Sequence, residues 1–530
     1  MTLVALLNRL TVRRAPARPA LPALLMLLML LVLLAVPGGL RAQDDHAHHG
    51  PPPERLGRVN FPADCRPAVR ARFERAVALL HSFWYEEAAR TFAAVGEADS
   101  TCALAEWGMA MSTLHPLWTP PTPEQHAAAR AHAERAVELS RPGTRPRDYA
   151  EAIAAYYRGD GVPDRTRLAA YEQAMAGVAR RWPRDEEARI FHALALIALG
   201  QQDAGDSTYA RQREAARILE PLFRRHPDHP GLAHYLIHAY DSPPLAHEGE
   251  RAADRYAAIA PSVPHAQHMP SHIYTRIGAW DKAIGSNLRS VDAARRFEES
   301  QLSGALWDQD AHALDYLAYA YLQLGRVAEV RHIADRLARV RNTFPPNSLT
   351  TDYALAAIPA RLALERDDWQ AAAALPVRPA PAWRGTEGLT RFARALGAAR
   401  LGNSAAARAE VDTLGALERN LAAIGGPQAY WSTQVRVQRL AAGAWVDLAA
   451  GDTAAALHWA AMAADLDDGL AKHPVTPGAV LPARELYGDL LAAVGRRSEA
   501  VVAYQRTLAR QPGRARAAAA LARMEAADRR

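Results

Sequence analysis

Two pairs of histidines recur at a fixed offset. His234 and His238 form one H-x-x-x-H pair and His268 and His272 the other, and corresponding members lie 34 residues apart. An i,i+4 pair on a helix turns both rings to one face. A shared offset of one helical hairpin sets the two pairs on equivalent faces of neighbouring first helices. Packed helices lie about 8–10 Å apart, so imidazoles from both could converge on one ion with Zn–N near roughly 2.0–2.1 Å. Three or four imidazoles suit zinc, copper, nickel or iron, and the sequence does not choose among them. With one coordination position open, such an ion polarises a substrate or activates water. Asp315 and Asp241 are candidates for an added oxygen ligand or for orienting a ring. His265 and His312 are candidates for acid/base work. The alternative role for the same histidines is hydrogen bonding to backbone carbonyls or tyrosines, or contact with a peptide. Neither pair has the H-E-x-x-H frame of a zinc protease. Pro270, between His268 and His272, interrupts regular helix there.

Other chemistry is scarce. The chain has no P-loop, G-x-G-x-x-G, G-x-S-x-G or C-x-x-C-H, so it carries no sequence sign of nucleotide binding, nucleophile-elbow hydrolysis or covalent haem. A binding role is therefore expected ahead of a catalytic one, and the histidines are the one place where catalysis stays open. The net charge of +6 over 530 residues owes five charges to Arg9, Arg13, Arg14, Arg18 and Arg41, which leaves +1 for the chain from Gln43 onward. No basic stripe interleaved with aromatics is present, and no nucleic-acid partner is expected.

The elements that position these residues are helices. Alanine, leucine and arginine dominate, which favours helix over sheet. Residues 1–42 read as a signal peptide: arginines, the apolar run LPALLMLLMLLVLLAV, then Pro37-Gly38-Gly39 and Leu40-Arg41-Ala42. The other reading is an uncleaved anchor, the one route by which a membrane would be involved. Either predicts export to the periplasm or the exterior. Residues 43–64 read as a polar His/Pro-rich linker. In an oxidising compartment the only two cysteines, Cys65 and Cys102, suggest a disulfide. Helical segments follow at Pro67–Phe83, from Glu86, at Cys102–Met111, Glu124–Leu139, Asp148–Tyr157, Arg165–Arg181, Glu186–Leu199 and Tyr209–Arg225. Beyond them, turns are expected at Gly278, Gly325, Arg366–Trp369, Gly402, Gly451 and Gly495. Each leads into an Ala-rich helix with a candidate packing alanine at Ala283, Ala328, Ala371, Ala405, Ala455 or Ala500. The division is residues 65–290, which carry the histidines, and 291–530, which end in a polar-faced capping helix.

These hairpins, with Trp107-Gly108, Ala88 followed by Phe92, His226-Pro227 and the Leu486-Tyr487-Gly488 to Pro512 unit, resemble the tetratricopeptide-repeat (TPR) family over most of residues 65–525. The block CRPAVRARFERAVALLHSFWYEEAARTFAAVGEADSTCALAEWGMAMS also resembles exported bacterial TPR proteins. The resemblance implies an all-α right-handed superhelix whose first helices line a concave groove for a protein or peptide partner. It places His234, His238, His268 and His272, with Asp315, Tyr319 and His312 of the next unit and the nearby His265, on that groove. The function so implied is a partner-binding scaffold, the alternative being a metal-binding protein or metal-dependent hydrolase.

Overall fold

The computed structural model describes residues 54–528 apart from positions 119, 204, 379 and 380. The expected export segment and the first part of the expected linker lie outside the described residues. Among the described residues, no helix is long and apolar enough to cross a membrane.

The chain is an α-solenoid of TPR-like helical hairpins. Successive pairs are Arg70–His81 with Tyr85–Ala98, Ala103–Thr113 with Pro123–Leu139, Arg145–Tyr157 with Asp164–Arg181, and Glu186–Gln202 with Ala210–Arg225. Pro230–Tyr240 then pairs with Glu250–Ile259, the broken helix Pro264–His268 and Pro270–Arg276 with Trp280–Gln301, and Asp308–Gln323 with Val327–Ala338. The array continues through Leu349–Leu364, Glu387–Arg400 with Ser404–Ile424, Gln428–Ala449 with Thr453–Asp468, and Ala483–Ala493 with Arg497–Arg510. Ala515–Asp528 caps it, burying Ala517 and Ala520 against Leu491, Ala503 and Tyr504. One short parallel pair, Leu306–Trp307 with Thr343–Phe344, ties the start of one hairpin to its end.

The hairpins form for local reasons. Glycines at left-handed φ end first helices at Gly325, Gly402, Gly451 and Gly495, where a Cβ would be strained. Asn403 and Asp452 then cap the following helices through Ala406 and Ala455 N–H groups. The packing alanines are Ala283 and Ala500 as expected, but Ala372, Ala407 and Ala456 are the buried ones in three other units. Val330, not Ala328, is buried in another. The buried residue lies one or two positions past the expected one; each position turns a side chain by about 100° around the helix, and composition alone does not resolve it in an alanine run.

The described part of the expected linker, residues 54–64, packs on the array. Phe61 is fully buried, with its ring 5.4 Å from Phe73, 5.4 Å from Trp107 and 5.2 Å from Tyr149. The Arg58 N–H donates to the Asp228 carbonyl at 2.9 Å. One buried phenylalanine removes enough apolar surface from water to pin a short polar segment. Nor does the core divide at residue 290: one apolar cluster runs from Leu56 to Ile358 and a second from Leu349 to Leu490.

Cys65 and Cys102 are disulfide-bonded, with Cα atoms 4.7 Å apart and 37 residues between them in sequence. The bond joins the lead-in of the first hairpin to the start of the next. Closing a loop of this length corresponds to about 4 kcal/mol in the chain-entropy model. A Cys65→Ser/Cys102→Ser variant should lose about that much in urea unfolding, with its core otherwise unchanged. A loss below about 1 kcal/mol would show that the link contributes little.

Candidate metal centre

The histidines gather where three consecutive first helices meet. Pro230 starts its helix at the position where a missing N–H costs nothing, and every residue of Pro230–Tyr240 is buried. His234 and His238 therefore point into protein. Pro270 cannot supply an N–H to the preceding turn, so the next first helix divides into Pro264–His268 and Pro270–Arg276. The break leaves His268 and His272 facing each other, with their Nε2 atoms 3.0 Å apart. His312, in the first turns of Asp308–Gln323, brings its ring within 4.1 Å of the His268 ring.

Six imidazoles form two triads. His234, His238 and His265 are one, and His268, His272 and His312 the other. Within each, the ligand atoms all lie within 4.8 Å of one another. In the first, the Nε2 of His234 is 3.1 Å from those of both His238 and His265. Three ligand nitrogens placed tetrahedrally around one ion at bonding distance are separated by about 3.3 Å, and the two separations at His234 lie close to this. The triads stand side by side: the His265 and His268 rings are 6.2 Å apart and the His238 and His272 rings 6.1 Å. All six rings are buried, His312 being the most exposed at 7%.

Proton bookkeeping decides what the arrangement needs. His234 Nδ1 lies 2.7 Å from the His81 carbonyl, which can only accept. His268 Nδ1 lies 2.7 Å from Asn287 Oδ1, whose amide is oriented by its Nδ2 donating to the Ala283 carbonyl at 2.8 Å. His272 Nδ1 lies 2.8 Å from Asp241 Oδ2. Each of these Nδ1 atoms therefore carries the proton, and each neutral ring offers a bare lone pair at Nε2. The Nε2 atoms of His268 and His272 then confront each other lone pair to lone pair. In the first triad, only one neighbour can donate to the single lone pair of His234. Protonation would relieve the conflict, but burial pushes His234, His238, His265, His268 and His312 well below the ordinary imidazole range, and the adjoining histidines push the same way. Burial lowers His272 as well, against the opposing pull of Asp241. A cation between the nitrogens satisfies them without that cost.

The surrounding side chains hold the rings in place, as outer partners of metal-binding histidines do. Burial alone would raise Asp241, but Lys472 and Arg276 hold its carboxyl well below the usual range. It accepts from Arg276 Nε at 2.8 Å and from Lys472 Nζ at 3.2 Å. Lys472, pushed down to about 8 by burial, comes from the loop after Thr453–Asp468 and also donates to the Tyr316 hydroxyl at 3.0 Å. Phe83 sits at a left-handed φ of 55°, unusual for a bulky residue. Its ring lies 4.3, 5.7 and 5.8 Å from His234, His238 and His265. Tyr316 lies 4.8 Å from both His268 and His272. An Asp241→Asn variant keeps the shape but weakens the orienting bond to His272. Metal affinity of the second triad should fall by roughly 10–100-fold in a competition titration, with the first triad unaffected.

The candidates read from sequence fare differently. His234, His238, His268 and His272 converge, but as members of two triads rather than one four-ligand set. The i,i+4 pairs stay together while the helix step moves each to a new neighbour. His265 and His312 complete the triads instead of standing aside for acid/base work. Asp315 is turned away, accepting at 3.2 Å from the Nε of Arg361, whose Nη atoms donate to the carbonyls of Gly478 and Ala479. Tyr319 is likewise remote, its ring 5.7 Å from Trp280 and its hydroxyl 3.3 Å from Gln511. All of these residues are buried: Phe83, Trp118 and Tyr256 pack on the first triad, and residues 472–478 of the C-terminal repeats pack beside the second. Phe83, Asn287, Tyr316 and Lys472 escaped the sequence reading. Only the i,i+4 relation of His312 to Tyr316 hinted at one of them.

A third cluster joins His81, Glu187 and His229. Here both histidines contact the carboxylate at 2.9 Å. Burial opposes its charge, but the two rings keep Glu187 below the usual carboxylate range. Here the carboxylate lies between the two rings, so no lone pairs face one another.

No family model matches the sequence, and no curated protein matches it. Among solved structures, similar chains include that of the APC/C hetero-tetramer Cut9-Hcn1, at 13% identity over 80% of this chain and 75% of that one, TM-score 0.35. Yeast Tom70 is similar at 8% identity over 87% of this chain and 96% of that one, TM-score 0.35. The human IFIT1 dimer with m7Gppp-AAAA is similar at 13% identity over 82% and 88%, TM-score 0.37. At these TM-scores the likeness adds nothing to what the helical array itself shows.

Proposed function

We propose that the protein is a metalloprotein that uses a solenoid scaffold to hold two transition-metal ions side by side, one in each three-histidine triad. The observation that carries this reading is the bare Nε2 lone pairs of His268 and His272 facing each other at 3.0 Å, with the bare Nε2 of His234 3.1 Å from two further ring nitrogens. Their tautomers are set from behind by the His81 carbonyl, Asn287 and Asp241. A purely structural cluster would alternate donors with acceptors, as His81, Glu187 and His229 do. The all-imidazole donor set favours zinc, copper, nickel or iron over magnesium, calcium or manganese. A dinuclear centre of this kind clamps one small ligand between its ions. A hydrolytic role is less well supported, because Asp241, the carboxylate nearest the triads, is already engaged by His272, Arg276 and Lys472. The Cys65–Cys102 disulfide and the arginine-led apolar N-terminus support a place outside the cytoplasm.

The test is elemental analysis of protein purified without a histidine tag. Two ions per chain, released only under chelation strong enough to lower the melting temperature, is the expected result. Metal-free protein whose melting temperature ignores both chelator and added metal would refute the reading.

A second reading, a protein or peptide partner, is favoured by a separate feature. A cavity of about 1290 Å³ opens among Arg58, Arg145, Arg184, Glu186, Arg225 and His229. It mixes charges of both signs, as a polar peptide segment would require.

A further inference from the structure

The two-triad reading leaves open which ions bind and what they do; resting on that reading, the geometry points to a pair of copper(I) ions that bind dioxygen between them. Three observations carry this inference.

The first is charge. The donors are six neutral imidazoles with no carboxylate or thiolate among them. The nearest charged side chains are Asp241, Arg276 and Lys472, whose formal charges of one minus and two plus leave an excess of one positive. Burying two divalent ions in such surroundings leaves four further charges uncompensated, and buried uncompensated charge is expensive. Two monovalent ions halve that burden. Of the metals that imidazole suits, copper alone is stable as a monovalent ion, and copper also heads the affinity order for divalent ions.

The second is access. Phe83, Trp118, Tyr256 and Tyr316 wall the rings, with Trp118 5.4 Å from His265 and Tyr256 5.1 Å from His234. Rings this buried exclude a bulky polar substrate. Dioxygen is small, neutral and apolar, and crosses packed protein through ordinary fluctuations.

The third is the pairing of the triads. Each copper(I) gives up one electron, so the pair supplies the two electrons that reduce dioxygen to the peroxide dianion. Both coppers become divalent, and the dianion bridges them. The net charge of ions plus ligand stays at two plus before and after, so the site never takes on additional charge. No bond to a protein atom forms or breaks, and no proton is needed. A single three-histidine site could not complete this exchange.

The test uses tag-free full-length protein loaded anaerobically with copper(I) and titrated with dioxygen. The expected result is one dioxygen taken up per two coppers, an X-ray absorption edge shift of both coppers to the divalent state, and no matching paramagnetic resonance signal, because the two spins couple through the bridge. A His312→Ala variant should keep one copper in the first triad and take up no dioxygen. Two bound coppers that ignore dioxygen, or that oxidise to give the full signal of isolated copper(II), would overturn the dioxygen inference and leave the metal centre standing. Wild-type uptake by the His312→Ala variant would overturn it as well. Failure to retain copper while two zinc ions bind would overturn the choice of metal. Failure to retain any metal would remove the underlying reading too.

Discussion

Replacing His234 with alanine is expected to lower the bound metal from two ions per chain to one, and replacing His234 and His268 together to none. The effect is large because each triad is just sufficient. His234 supplies the nitrogen lying 3.1 Å from both partners, so its loss leaves His238 and His265 as a two-ligand remnant. The second triad does not use the helix that carries His234, and it keeps its own outer partners, Asn287 and Asp241. It should therefore retain its ion in the single variant. An ion present at a hundred times its dissociation constant adds about 2.7 kcal/mol to folding stability. The double variant should lose about twice that relative to the loaded wild type and should no longer respond to chelator. Elemental analysis and chelator-dependent melting check both parts. Loss of both ions from the single variant would mean one shared site rather than two.

The second large effect concerns the closure of the C-terminal hairpin on the array. The C-terminal hairpin returns to the middle of the array: the Trp280 indole donates to the Gly513 carbonyl at 3.0 Å, and the Ala515 N–H donates to Gln323 at 3.0 Å. At this junction Arg514 is fully buried between Glu485 at 2.6 Å and Glu365 at 2.8 Å. An Arg514→Met variant fills similar volume but leaves both carboxylates without their shared cation. Breaking one partner of a buried ion pair costs about 3–5 kcal/mol, and Arg514→Met should lose that much in urea unfolding. The exposed pair Arg496–Glu499 serves as the control. Its Arg496→Met variant should change stability by less than about 1 kcal/mol. A small loss at Arg514 would mean that this closure is loose.

Much of this organisation was legible in the sequence because it repeats. Helical segments ended where glycine or proline predicted, and the 34-residue offset between the histidine pairs placed them on adjacent helices. The pairing of Cys65 with Cys102 followed from their being alone in the chain. What stayed hidden has no period. His265 serves the triad of the preceding hairpin and His312 that of the preceding broken helix, so each third ligand crosses a repeat boundary. Lys472 reaches Asp241 across 231 residues, a contact that no local pattern encodes. Phe83 occupies a turn whose left-handed backbone would ordinarily call for glycine. Asp315 and Tyr319 held groove positions by analogy of register, but a buried arginine, Arg361, claimed the first, and Trp280 with the C-terminal hairpin claimed the second.

The most direct measurement is anomalous diffraction from crystals of metal-loaded, tag-free protein, with data collected on both sides of the absorption edge. The account predicts two anomalous peaks about 3.5–4 Å apart, one bonded to the Nε2 atoms of His234, His238 and His265 and the other to His268, His272 and His312. A single peak shared by both pairs, or crystals soaked in metal that show none while the six rings keep their positions, would contradict it.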